Sequence, residues 1–129
     1  MELLFHLESS RKVKINMERW KDIKINCIAE INRVVTVFEV WSYDKIPYGK
    51  FKIKILESCR GGFIGIPNIA IKNLEDGTPE WISGLGSTVD EALSDAIENL
   101  MSSIEAYNIR DENGMVDPVY FEWAEPQDF

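Results

Sequence analysis

The residues of this chain best placed to do chemistry are acids, and their spacing is helical. Glu91, Asp95, Glu98 and Glu105 follow one another at intervals of four, three and seven residues, which sets them on one outward face of a helix. Like charges at i and i+4 cost about 0.2–0.5 kcal/mol per pair, and no Lys or Arg between residues 88 and 107 relieves them. Such a face suits simple solvation, and it equally suits a protein partner with a basic surface. A second set lies in the tail, where Tyr120, Phe121, Trp123 and Phe129 alternate with Glu122, Glu125 and Asp128. Aromatic anchors among charges resemble a hot-spot segment, with Phe121 and Trp123 as its anchors. The same alternation fits a last strand folded back on a sheet. A third set is Gly86, Ser87 and Thr88 at the start of the helix, where free amides and two hydroxyls could receive a small anion or nucleotide-like ligand. A homodimer could share that site between its subunits.

Catalytic groups are scarce. His6 is the single histidine, so it has no imidazole partner for acid-base or zinc chemistry. The glycines at 61, 62, 65, 84 and 86 lack the Gly-Lys-Ser/Thr of a phosphate loop and the third glycine of a dinucleotide fingerprint, and read as turns and a strand-to-helix junction. Cys27 and Cys59 are 32 residues apart and match neither a zinc pair nor a redox motif; buried thiols in strands are expected. The expectation is a non-enzymatic protein with no cofactor and no metal.

These groups must be held by an α+β domain. Alternation of apolar and polar residues, the mark of half-buried strands, runs through residue 85. It predicts strands around Val13 and Ile15, around Ile23, Ile25 and Cys27, and, after a tight turn at Asn32-Arg33, from Val34 to Tyr43. A loop through Pro47 and Gly49 leads to the cleanest strand, with Phe51, Ile53 and Ile55 on one face and Lys50, Lys52 and Lys54 on the other. Gly61-Gly62 suits a two-residue hairpin turn, and the following run from Phe63 to Ile71 is interrupted at Pro67-Asn68. A turn near Asp76-Gly77 precedes a last short strand beginning at Trp81 and Ile82. No connection is long enough for a parallel crossover, so the prediction is an antiparallel meander of about five to six strands over residues 1–85.

The period then changes. Val89, Ala92, Leu93, Ala96, Ile97, Leu100, Met101 and Ile104 form one apolar stripe, and Thr88 with Glu91 forms a capping-box pattern. One amphipathic helix over 88–107 is expected, packed on one face of the sheet, followed by an acidic aromatic tail over 108–129.

At 129 residues, 45% hydrophobic and 28% charged, the chain has the size and composition of one folded domain. The net charge of −8 is unevenly spread: residues 1–89 carry 11 acids and 13 bases, while residues 90–129 carry 11 acids and only Arg110. That skew argues against nucleic acid as a partner of the C-terminal third, because phosphate contacts need Lys and Arg. On the sheet, Lys50, Lys52 and Lys54 with Lys12, Lys14 and Lys24 could form a basic stripe, though lysines also commonly protect an exposed sheet surface. No stretch approaches the roughly 18 apolar residues of a membrane helix, and the first seven residues are too short for a secretory core; a cytoplasmic protein is expected.

Residues 50–107, with two or three strands, the bend Ile66-Pro67-Asn68, and Gly86-Ser87-Thr88-Val89-Asp90-Glu91-Ala92-Leu93 opening a helix, resemble the βββα module of HicB-type antitoxins. There a Gly-x-Thr-x-x-Glu-Ala pattern likewise begins the helix. The resemblance implies a small acidic protein that neutralises a toxin or other effector, without the appended DNA-binding segment. The expectation is a binding or inhibitor protein of antitoxin, immunity or phage counter-defence type. Its acidic helix face and tail would engage a basic partner; the alternative is the small-anion site at residues 84–88.

Overall fold

The computed structural model describes residues 19–107, 113, 114 and 116–129. His6, Val13, Ile15 and the lysines at 12 and 14 lie outside the described residues. The fold is α+β, as the patterning predicts: the described residues form seven antiparallel strands in two sheets and one long helix packed against the first.

β1 (Asn32–Trp41) and β2 (Lys50–Ser58) form the longest hairpin, with a register shift between Val34 and Thr36 that marks a bulge. The β2 alternation does what it predicts. Phe51, Ile53 and Ile55 are fully buried, while Lys50, Lys52 and Lys54 take the opposite face. Gly61 and Gly62 both have positive φ, 94° and 82°, and turn the chain into β3 (Phe63–Pro67). At Asn68 it leaves the first sheet for the second, where β4 (Ile69–Lys72) lies between β5 (Pro79–Glu80) and β7 (Phe121–Trp123). Asn68 ties the two sheets together. Its Oδ1 accepts from the Lys52 amide at 2.8 Å, its own amide donates to the Lys52 carbonyl at 2.9 Å, and its carbonyl accepts from Ala124 at 2.8 Å.

β6 (Gly84–Gly86) returns to the first sheet beside β3, giving the order β1-β2-β3-β6. The helix α1 (Val89–Tyr107) then packs on β6, β3 and β2 with Ala92, Ala96, Leu100 and Ile104 innermost. The core unites both sheets and the helix around Phe51, Ile53, Ile55, Ile69, Ile71, Leu100 and Phe121. Each large side chain so buried contributes about 1.5–3 kcal/mol.

Several expectations are corrected. The segment holding Ile23, Ile25 and Cys27 is not a strand; a 3-10 turn over Arg19–Asp22 leads into an irregular run. Its isoleucines find no buried face, with Ile25 62% exposed, and Cys27 at φ 75° breaks any ladder. Asn32-Arg33 is not a turn but the start of β1, where Arg33 pairs with Glu57. Neither cysteine is buried in a strand: Cys27 is exposed, Cys59 is half-buried in the turn after β2, and both are free. Trp81 and Ile82 lie between two short strands, not in one.

Candidate functional site

The helix acids are largely occupied by the protein itself. From β6 the chain presents the Ser87 and Leu85 amides and the Ser83 carbonyl at every second residue along an extended edge. From α1, Glu91, Asp95 and Asn99 come at every fourth residue. Four helical residues rise about 6 Å and two extended residues about 6.6 Å, so the two rows stay in step. Glu91 Oε2 accepts from the Ser87 amide at 2.9 Å and from its hydroxyl at 2.6 Å. Asp95 Oδ2 accepts from the Leu85 amide at 2.8 Å, and Asn99 Nδ2 donates to the Ser83 carbonyl at 3.0 Å. The helix thereby closes the outer edge of β6, groups that would otherwise invite another strand.

The same register explains the glycines. A Cβ on Gly84 would stand 2.1 Å from the Ala96 nitrogen, and one on Gly86 would stand 2.4 Å from that of Ala92. Gly65 on β3 faces the Ala92 carbonyl oxygen in the same way, at 2.7 Å. Gly84-Leu85-Gly86 is therefore a paired strand and not a turn, and its glycines serve close approach of backbones, not an unusual φ.

This geometry redistributes the predicted site residues. Glu91 belongs to the helix cap. The Thr88 hydroxyl accepts from the Glu91 amide at 3.1 Å, and the Glu91 carboxylate reaches Ser87 rather than Thr88, a capping box displaced by one residue. The Ser87 side-chain and backbone hydrogen bonds hold the Glu91 carboxyl below its ordinary value of 4.5. An anion arriving at Gly86, Ser87 and Thr88 has to displace that carboxylate. Asp95 is half-buried against β6. Glu105 is bridged by the Lys45 ammonium from the β1–β2 loop, so the helix face does have a basic partner. Glu98 and Asp90 remain as exposed acids on α1.

A further carboxylate lies at the far end of the helix. The Tyr107 hydroxyl donates to Glu80, which also accepts from Asn73 Nδ2 at 2.9 Å, and together these bonds lower the Glu80 pKa and raise that of Tyr107. The pH dependence follows. Glu80 and Glu91 are depressed, so their stabilisation is complete above the unfolded value near 4.5 and is lost as pH falls through the folded values. Tyr107 is raised, so its share is complete below 10.0 and is lost as pH rises through its folded value. Thermal melts followed by circular dichroism are expected to show Tm level through neutrality and falling below about pH 4.5. Glu80→Gln should flatten the alkaline limb.

The tail folds back as a strand. Asp117 caps a turn at Pro118 by accepting from the Val119 amide at 3.0 Å, and Phe121–Trp123 then pair with β4. Phe121 is buried at 5% exposure, so the predicted anchor is a core residue, while Glu122 points outward. Trp123 is half-buried and stays within reach of a partner.

With the tail so placed, a groove of about 500 Å³ opens along the join of the two sheets. It is lined by Trp81, Trp123 and Phe129 together with Ile66 and Pro67. Glu122, Glu125 and Asp128 stand along it, all exposed, and make no ion pair among the described residues. Lys54 enters from β2: its Nζ donates to the Phe129 backbone oxygen and lies 4.8 Å from the centre of that ring. Trp81, 48% exposed, was not among the sequence candidates. The acid-aromatic alternation of the tail pointed to one wall, and nothing local in the sequence pointed to the other.

The lysine face is less uniform than predicted. Lys50 sits over the Trp41 ring at 5.1 Å and 3.7 Å from Glu39, while Lys54 is engaged by Phe129. A second groove, about 640 Å³, runs beneath the irregular segment between Trp20, Ile28 and Arg60. Among the described residues no helix is long and apolar enough to cross a membrane. No protein-family model, curated protein or solved structure matches this chain.

Proposed function

We propose that this chain is a non-enzymatic binding or inhibitor protein, of the antitoxin, immunity or phage counter-defence kind, that grips a basic surface of a protein partner. The observation that carries the reading is the groove between Trp81 and Trp123, flanked by Glu122, Glu125 and Asp128. The accessible aromatics supply contact area, and the exposed carboxylates, without an ion pair among the described residues, supply selection for positive charge and faster encounter. Glu98 and Asp90 are further exposed acids, on α1. The HicB-like pattern of residues 50–107 points the same way, toward a small acidic neutraliser.

The test is capture from a lysate of the source cells with the whole chain as bait. A partner held by exposed carboxylates should elute as ionic strength rises from about 0.05 to 0.5 M, because the screening length falls below about 5 Å over that range. Retention that is indifferent to salt would sink the electrostatic reading.

A further inference from the structure

Resting on that reading and deepening it, we propose that the groove takes an arginine side chain of the partner, its guanidinium stacked against Trp81 and Trp123 and bridged by the neighbouring carboxylates. The groove already shows its preference. Lys54, the cation that reaches it among the described residues, lies over the Phe129 ring and donates to the Phe129 backbone oxygen. The ring faces of tryptophan attract cations more strongly than that of phenylalanine. Here two indoles line the groove, one of them 48% exposed, and among the described residues no cation lies over either. Among the described residues that line it, Glu122, Glu125 and Asp128 bring three negative charges against the single positive charge of Lys54. A guanidinium satisfies both features at once: its flat face stacks on an indole while its edge donates two parallel hydrogen bonds to a carboxylate. A lysine ammonium satisfies them one at a time, and an apolar side chain leaves the carboxylates unanswered.

The experiment is an NMR titration of the full chain with the peptide Ac-Gly-Arg-Gly-Arg-Gly-NH2 at low salt, alongside lysine and norleucine versions. The four indole N–H signals report separately on Trp20, Trp41, Trp81 and Trp123. Trp81 and Trp123 are expected to shift while Trp20 and Trp41 stay, with arginine binding several-fold more tightly than lysine and norleucine giving no saturable shift. Trp81→Leu, an exposed change, should weaken the arginine peptide about threefold to tenfold, and Glu122→Gln with Glu125→Gln should do the same. Equal shifts with norleucine would overturn the inference in favour of an apolar site. Shifts confined to the amides of Asp90 and Glu98 would overturn it while leaving the basic-partner reading in place. No shift anywhere with the arginine peptide would count against both.

Discussion

Gly84→Ala is expected to be the most damaging single methyl in the molecule. The added Cβ would stand 2.1 Å from the Ala96 nitrogen and 2.6 Å from its Cα, atoms that cannot rotate away. Overpacking by one carbon ordinarily costs about 1–3 kcal/mol, and a backbone obstacle puts this case at or above the upper end. Relief requires α1 to lift from β6. That would also break the Leu85–Asp95 and Ser87–Glu91 hydrogen bonds. Shortening the neighbour with Ala96→Gly should not rescue the variant, because the obstruction is main chain. Gly65→Ala, whose nearest obstacle is the Ala92 carbonyl oxygen at 2.7 Å, should cost less than Gly84→Ala. Urea unfolding of the three proteins checks the order, and a Gly84→Ala variant as stable as the parent would mean that α1 does not sit on β6 at this distance.

Phe121→Ala is expected to cost about 3–5 kcal/mol, the range for truncating a buried aromatic. The ring is 5% exposed and belongs to the core cluster with Ile71, and its strand pairs with β4 from Ile69 to Ile71. A large loss in chemical denaturation, with faster hydrogen exchange at Ala70 and Phe121, would show that the tail is an integral strand. A change within about 0.5 kcal/mol would instead mark Phe121 as a surface anchor. The outcome matters for binding as well, because β7 carries Trp123 and Glu122 into the groove.

Much of this arrangement was legible because local signals agreed. The lysine-flanked alternation of Phe51, Ile53 and Ile55 could be satisfied by one half-buried strand, and the stripe from Val89 to Ile104 by one helix. Thr88 announced the helix start. The alternation around Ile23 and Ile25 misled because periodicity shows that a segment could bury one face, not that a face is available to it. Those isoleucines remain 48% and 62% exposed. The acids at 91 and 95 misled for a different reason. Their spacing identified a helix face correctly, but the amides they answer lie on β6, and only the fold lays that strand alongside. In retrospect the pairing has a trace in sequence: glycines two apart at 84 and 86 meet alanines four apart at 96 and 92, the ratio set by strand and helix rise. Trp81 left no such trace, since its value comes from Trp123, 42 residues away, arriving at the same groove.

Two classes of acid therefore follow from the fold, those that fasten α1 to β6 and those that face outward along the groove. The direct test is to compare retention of the captured partner, together with Tm, for Glu91→Ala/Asp95→Ala and for Glu122→Gln/Glu125→Gln. The first pair should lower Tm measurably, because the carboxylates that fasten α1 to β6 are lost, and leave retention at low salt unchanged. The second should leave Tm within a degree or two and weaken retention about tenfold. If retention instead falls with Glu91 and Asp95 and survives the change at Glu122 and Glu125, the groove is not the binding surface and the outer face of the helix is.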